Sequence, residues 1–191
     1  MELIGHAESV DRFQGSIPAR RRVWLVLALS VFILVALLLR LHVAWERNHE
    51  SPNELALRLV GDETNYDRLA RELLQGSFFQ WPGRVPVYPM FIAGTYYALG
   101  ESSPAKLLYV QACVGVMAVP LTYLLARRVL GRIPALAAAG VVAFDDLLVG
   151  HAWQMYAEIL YTPLLLAALV VLLWAVQTSR PGHFVWAGAS M

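Results

Sequence analysis

Acidic residues at two points of the sequence have types and positions that suit acid–base chemistry. Asp62 and Glu63 stand together where a helical pattern begins, and Glu158 opens a long apolar run. A carboxylate can accept the proton of a hydroxyl or amine acceptor while a new bond forms. Asp62 suits this role because the positive end of a helix favours an ionised carboxylate. The simpler alternatives are that Asp62 caps the helix and that Glu158 anchors a span among lipid headgroups.

One basic residue lies where a phosphate could be held. Arg84 follows Gly83 and precedes a proline-rich turn, and it can donate charge-assisted hydrogen bonds to a lipid phosphate. The alternative is unspecific attraction to anionic headgroups. The five histidines have no metal-ligand spacing and Cys113 stands alone in an apolar run, so no metal is implied. Carboxylates near a phosphate could still hold a metal ion, and we expect no cofactor.

Composition excludes several classes of protein. Of 191 residues, 58% are hydrophobic and only 15% are charged, whereas soluble domains carry about 25% charged residues. Such a chain is too apolar to be disordered. Its 15 basic and 14 acidic residues give a net charge of +1, which argues against a nucleic-acid partner. The composition therefore indicates a membrane protein.

The apolar runs predict an all-α membrane protein, a multi-pass helical bundle with about four spans and the start of a fifth. Pro120 should kink the second span, and the third is long enough only if its helix continues past Asp145 and Asp146. The apolar end suggests a fragment of a longer protein, and the alternative is a complete four-span protein with a re-entrant end. The predicted spans are about 23–44, 105–126, 133–151, 157–177 and 183–191 (partial).

Basic flanks predict the orientation of these spans. Arginines before the first run and after the second mark the cytoplasm. Residues 1–22 are therefore a cytoplasmic tail, residues 23–191 form the transmembrane domain, and residues 45–104 form a long external loop. Arg40 ends the first run, where its stem can reach the interface.

The external loop contains two predicted helices. Residues 61–76 form an amphipathic helix that would lie on the membrane surface, capped by Gly76, with i,i+4 ion pairs on its polar face. Residues 81–100 form a turn and then a helix buried shallowly in the outer leaflet. In the first helix, the ion pairs are Asp67–Arg71 and Arg68–Glu72, and the apolar face holds Tyr66, Leu69, Ala70, Leu73 and Leu74. In the second segment, the aromatic residues expected at the membrane interface are Trp81, Tyr88, Tyr96 and Tyr97.

Four segments in this order resemble the N-terminal part of GT-C fold glycosyltransferases. The segments are GDETNYDRLARELLQG, RVPVYPMFIAG, VQACVG with LARRVLG, and YAEILYTPLLL. The most similar group is the dolichyl-phosphate-mannose-protein mannosyltransferase-like superfamily, which includes the bacterial lipid A aminoarabinose transferases. The resemblance covers residues 20–191. Two positions depart from the pattern, Asn65 where relatives often have Arg and Asp146 where they tend to have Pro.

The resemblance implies an enzyme that moves a sugar, with inversion, from a polyprenyl-phosphate-linked donor to an external acceptor. The acceptor would be a lipid, a glycan or a protein. The enzyme would be integral to the plasma (inner) membrane among its lipids, with a cytoplasmic N-terminus and an external active-site loop. The catalytic residues would be Asp62, as general base, and Glu158, and the substrate-binding residues Glu63, Tyr66, Arg84 and Tyr88.

A second hypothesis belongs to another class. The chain would be a non-catalytic multi-pass membrane protein, such as a scaffold or part of a transporter, in which Asp62 only caps a helix. Because Asn caps a helix about as well as Asp, Asp62→Asn should then leave the protein fully functional. The same substitution removes the base of a transferase, so it separates the two hypotheses.

Overall fold

A computed structural model describes residues 19–50, 59–77 and 85–178. These residues form eight α-helices and one turn of 3-10 helix, with no β-strand among them, which confirms the all-α prediction. In chain order they are α1 (Ala19–Glu50), α2 (Asp62–Leu74), α3 (Val87–Leu99), α4 (Pro104–Gly115), α5 (Ala118–Val129), α6 (Arg132–Phe144), α7 (Asp146–Gly150), the 3-10 turn (His151–Trp153) and α8 (Glu158–Thr178).

The helices group into two compact units. Unit 1 holds the described residues of Met1–Ala36, Val116–Asp145 and Thr162–Met191. Unit 2 holds those of Leu37–Gly115 and Asp146–Tyr161. The candidate residues that the structure describes, from Asp62 to Glu158, all belong to unit 2.

Three helical stretches are long and apolar enough to cross a membrane. They are Arg20–His49, Pro104–Val129 and Glu158–Gln177, and the broken pair Arg132–Phe144 and Asp146–Trp153 makes a fourth when it is counted as one span. The protein is therefore a helical membrane protein with three to four candidate spans in its described residues. The expected start of a fifth span, residues 183–191, lies outside those residues.

The first helix is longer than the apolar run that predicts it. It has 32 residues and includes positions 19–22, expected in the tail, and positions 45–50, expected in the external loop. Arg40 was expected to reach the interface at the end of the run. It lies instead well inside α1, because the helix continues through the polar residues that follow it, and its side chain is fully buried.

Two predicted spans are interrupted at recognisable positions. The second divides into α4 and α5 at Val116 and Met117, just before Pro120. Proline lacks the N–H that would bond the carbonyl four residues earlier, and its ring crowds that carbonyl. The third span breaks at Asp145, whose backbone is extended (φ −65°, ψ 119°). Asp145 is half-buried, and Asp146 begins α7 on the exposed surface.

Small residues hold unit 1 together. Ala135, Ala139 and Ala143 are fully buried at four-residue spacing along α6. A Cβ atom on Gly140 would come within 3.1 Å of the Phe32 ring on α1, so glycine permits this close approach. Small residues at such contacts are typical of helices that pack within a membrane.

The predicted amphipathic helix is confirmed as α2, including its end. Gly76 adopts a positive φ of 77° just after the helix. Its N–H donates to the carbonyl of Leu73 (3.1 Å), and the N–H of Ser77 donates to the carbonyl of Glu72 (3.0 Å). This pair of bonds is a Schellman motif, which satisfies the last carbonyls of a helix.

The helices of the long loop pack against each other in unit 2. Ala70 of α2 and Tyr88, Ile92 and Tyr96 of α3 are buried in one hydrophobic core. Tyr88 and Tyr96, expected at the membrane interface, are thus inside the protein, whereas Tyr97 is 82% exposed. One face of α3 is therefore buried in the core of unit 2, and another face is exposed.

Candidate active site

Asp62 and Glu63 point to different environments although they are neighbours in the sequence. The N-cap position of α2 is Gly61, at a φ of 59°, and no side chain caps the helix. Asp62 is thus the first helical residue rather than the N-cap, and it is exposed. Glu63 is 1% exposed. A helix entered by glycine therefore presents one carboxylate outward and buries the next.

The Glu63 carboxylate accepts hydrogen bonds from three segments. Its Oε2 accepts from Arg47 Nη2 (3.0 Å) and from the backbone N–H of Val60 (3.3 Å). Its Oε1 accepts from the backbone N–H of Met155 (2.8 Å). Both oxygens are engaged inside the protein, so this arrangement favours a supporting role for Glu63 over contact with a substrate.

Arg47 brings the compensating charge from the last turn of α1. Its Nη2 pairs with Glu63, its Nη1 donates to the carbonyl oxygen of Trp153, and its guanidinium lies 6.0 Å from the centre of the Trp153 ring. The gap beside the ion pair is lined by apolar residues and has no room for a water molecule. The pair is consequently screened from solvent, which strengthens the attraction between its charges.

A second buried chain of hydrogen bonds runs through α3 and α4. The Tyr88 hydroxyl donates to Gln111 Oε1 (2.9 Å), and Gln111 Nε2 donates to the carbonyl oxygen of Gln154 (2.6 Å). Tyr88 and Gln111 are fully buried. Tyr66 packs edge-on against Tyr88, with 4.9 Å between ring centres. Tyr88 is therefore an internal donor, and Tyr66 beside it is half-buried.

A third polar group joins α2 to α3. Asp67 accepts from the Tyr96 hydroxyl (2.6 Å) and from Arg71 Nε (2.8 Å). Arg71 Nη2 also donates to the carbonyl oxygen of Ser102 (3.1 Å). Both predicted ion pairs of α2 are present, but only Arg68–Glu72 is exposed on both sides. Asp67, expected on the polar face, is buried because α3 covers it.

Burial or hydrogen bonding raises the pKa values of two tyrosines and one arginine in unit 2. Burial raises the pKa of Tyr88, and the nearby Glu63 charge raises it further. Burial also raises the pKa of Tyr96, with a further contribution from its hydrogen bond to Asp67. The hydrogen bond to Asp67 raises the pKa of Arg71. The two hydroxyls therefore remain protonated donors at neutral pH, and Arg71 remains charged.

The remaining predicted residues differ in what the structure describes of them. Glu158 is the first residue of α8 and is exposed, three positions after Met155, the partner of Glu63. Arg84 lies outside the described residues. Unit 2 thus contains Asp62 and Glu158 as exposed carboxylates. Its buried hydrogen bonds involve Glu63, which follows Asp62, and the segment that precedes Glu158.

Unit 2 also has an apolar groove on its surface. The groove has a volume of about 360 Å³ and lies between α3 and Val110 of α4. Its other lining residues are Phe91, Gly94, Thr95, Ala98 and Leu99. Within the described ranges, no cluster of three or more His, Cys, Asp or Glu side chains offers a metal site. The groove suits an apolar chain rather than a charged group.

Sequence reasoning gave no role to several residues of this arrangement. Arg47 was assigned to a loop and Asp67 to a solvated face, whereas both are buried. Gln111 is the main polar residue of the second predicted span, and that pattern is the signal that could have indicated its role. A polar side chain kept inside a span generally faces protein and has a partner there.

Residues 83–191 match the family described as dolichyl-phosphate-mannose-protein mannosyltransferase. No curated protein and no solved structure matches the chain. The matched range covers more than half of the sequence and includes Arg84, Tyr88 and Glu158, whereas Asp62 and Glu63 precede it.

Proposed function

Because this chain belongs to the dolichyl-phosphate-mannose-protein mannosyltransferase family, we propose that it acts in membrane glycosyl transfer from a polyprenyl-phosphate-linked sugar. The family implies a lipid-linked donor and an acceptor in general. The family match carries the reaction type, and the exposed carboxylates of unit 2 support the choice of residues. The site would lie on the external face of the inner membrane, with the N-terminus in the cytoplasm.

Asp62 is the proposed general base. It would take the proton of the acceptor's hydroxyl or amine while the acceptor's oxygen or nitrogen bonds to the anomeric carbon. The bond from that carbon to the phosphate oxygen would break, and the lipid phosphate would leave. Attack on the face opposite to the phosphate inverts the anomeric centre. Its exposure and its place in the first turn of α2 support this role, because the helix terminus stabilises the ionised form.

The donor would be bound by its two different ends. Arg84 would hold the departing phosphate through charge-assisted hydrogen bonds, which strengthen as charge develops there. Tyr66 and Glu158 would border the sugar, while Glu63 and Tyr88 support them from inside unit 2. The groove between α3 and α4 would receive the prenyl chain, because its lining is almost entirely apolar.

The decisive experiment replaces the base and a matched acid. Asp62→Asn should lower kcat about 10²–10⁴-fold, the usual contribution of a general base, with turnover of synthetic polyprenyl-phosphate mannose as the assay. Asp146→Asn is the control because Asp146 also begins a helix and is also exposed. Normal turnover by the Asp62→Asn protein would reject Asp62 as the base and leave it as a helix-terminal acid. Absence of transfer by the wild-type protein would favour the non-catalytic hypothesis.

The groove has its own test. A Cβ atom on Gly94 meets no atom within 4 Å, so Gly94→Trp should fill the groove without disturbing the core. We expect a KM about tenfold higher for a long-chain donor, since lost burial of about two methylene groups accounts for that change. A donor with a very short prenyl chain should be unaffected. Met90→Trp, on an exposed position of α3, is the control, and equal effects on both donors would exclude the groove.

A further inference from the structure

Three consecutive backbone positions before α8 are each bound by a buried side chain from a different helix. Arg47 of α1 donates to the carbonyl of Trp153, and Gln111 of α4 donates to the carbonyl of Gln154 (2.6 Å). Glu63 of α2 accepts from the N–H of Met155 (2.8 Å). We call residues 153–157 the connector, since they run from the last residue of the 3-10 turn to the start of α8.

This arrangement is more elaborate than the packing of the connector requires. The exposed fractions of Arg47, Glu63 and Gln111 are 7%, 1% and 0%. Burying charged groups removes their hydration, and apolar side chains of similar volume usually hold helices together at least as well. What the polar groups add is direction, because each hydrogen bond fixes the connector to one position of one helix.

The ends of the arrangement are the two carboxylates assigned to the reaction. Glu63 follows Asp62 directly in the first turn of α2. The connector ends at residue 157, and Glu158 follows as the first residue of α8. A bond between Glu63 and the connector therefore ties the segment that carries Asp62 to the segment that carries Glu158.

We propose that Arg47, Glu63 and Gln111 are positioning residues that hold the connector and so fix Glu158 relative to Asp62. This inference rests on the proposed glycosyl transfer and assigns these residues no contact with the sugar. The oxygens of Glu63 already accept from Arg47, Val60 and Met155, and the space beside them admits no water. Their effect on the reaction is geometric.

The mildest test removes one tether without leaving a buried charge. Gln111→Met keeps the length of the side chain and loses both of its hydrogen bonds. We expect kcat for polyprenyl-phosphate mannose to fall about tenfold while the donor KM changes less than about threefold, because misplaced groups lower turnover more than binding. Gln177→Met is the matched control, since Gln177 accepts from Arg128 on the exposed end of α8.

The second test keeps the positive charge at position 47 but removes the planar guanidinium group that donates to two partners at once. Arg47→Lys retains a cation for Glu63 but has no second nitrogen in a fixed plane to reach Trp153 at the same time. We expect kcat to fall about 100-fold, with a normal melting temperature showing that the protein is folded. Arg68→Lys, in the exposed pair with Glu72, is the control. If the Arg47→Lys protein does not fold, the neutral double variant Arg47→Gln with Glu63→Gln replaces it.

Hydrogen exchange of the peptide 151–157 in the full-length protein gives a readout that is independent of turnover. We expect exchange to be about tenfold faster in Gln111→Met and Arg47→Lys than in the wild type, because lost tethers lower the free energy of local opening. Normal kcat in both variants, or unchanged exchange of the connector, overturns the positioning role. Failure of the glycosyl-transfer proposal is separate, since it is read from the absence of mannose transfer by the wild-type protein, whereas the exchange measurement does not need turnover.

Discussion

The buried side chains of the two units differ in kind. All seven polar or charged residues that are buried in the described part of the chain belong to unit 2. In unit 1, the buried residues within the same ranges are apolar apart from the Tyr123 hydroxyl, and most are alanine. The helices of unit 1 are held by close packing of small apolar side chains. In unit 2, buried hydrogen bonds also fix the positions of particular atoms. The unit with the candidate site is also the unit with costly internal polarity. The seven residues are Arg40, Arg47, Asn48, Glu63, Asp67, Thr95 and Gln111.

The comparison predicts its largest effect at the buried ion pair. Glu63→Met should lower the free energy of unfolding by about 3–5 kcal/mol, because Arg47 is left as an uncompensated buried charge. The measurement is a denaturant titration of the protein in detergent micelles. The double variant Arg47→Met with Glu63→Met should recover most of this loss. A small effect of the single variant would show that unit 2 does not depend on its internal charges.

A smaller effect is expected where α2 meets α3. Tyr96→Phe removes a hydrogen bond to the Asp67 carboxylate and should destabilise the protein by about 1.5–3 kcal/mol at neutral pH, the usual contribution of a bond to a charged group. Tyr97→Phe, an exposed tyrosine on the same helix, should have almost no effect. Equal stabilities of the two variants would contradict the role of the Tyr96–Asp67 bond.

The same tyrosine predicts a pH dependence. Burial raises the pKa of Tyr96 above the ordinary value of 10.0. Above pH 10 the unfolded chain loses this proton while the folded protein retains it, so stability falls as pH rises through that range. Below pH 10 both states keep the proton and the contribution is constant. Unfolding measured between pH 8 and about 11 should show a shallower alkaline decline in Tyr96→Phe, and an unchanged slope would exclude Tyr96 as a cause.

Unit 1 should respond to size instead of charge. Gly140→Leu forces a side chain against the Phe32 ring, which a Cβ atom alone would approach to 3.1 Å. Overpacking of this kind destabilises by about 1–3 kcal/mol. Gly94→Leu is the control, since a Cβ atom there meets nothing within 4 Å. Thermal unfolding of both variants checks the difference, and equal melting temperatures would show that the contact at Gly140 is not restrictive.

The smallest effect is expected on the exposed side of α2. Glu72→Gln weakens an ion pair with Arg68 whose atoms are 3.9 Å apart and whose side chains are about half exposed. Such a pair contributes about 0.2–0.5 kcal/mol, so its loss should barely change the denaturation midpoint. A loss comparable with that of Glu63→Met would remove the distinction between buried and exposed pairs.

Local patterns in the sequence predicted the helices well. The composition gave the membrane class, the 3.6-residue period gave α2, and Gly76 gave its end, because each of these depends on neighbours in the chain. The i,i+4 pairs were predicted for the same reason. The break near Pro120 followed from the missing N–H of proline.

The buried polar contacts were not predicted because their partners are distant in the chain. Glu63 and Met155 are 92 positions apart, and Gln111 and Gln154 are 43 apart. An amphipathic pattern assigns charged residues to the solvent, so it placed Asp67 outward. Only the packing of α3 on α2 reverses that assignment. Asp62 and Glu158 remain predictions of the resemblance, supported by their exposure.

The bond between Glu63 and Met155 has a consequence for how the protein is made. The ribosome adds about 5–20 residues per second, so residue 155 follows residue 63 after roughly 5–18 s. During that interval Arg47 and Val60 are already synthesised, but one oxygen of the nascent carboxylate lacks its final donor. The hydrogen bonds that fix the start of α2 can be completed only after the segment that contains Met155, just before α8, has left the ribosome. Biogenesis of this region is therefore ordered by translation.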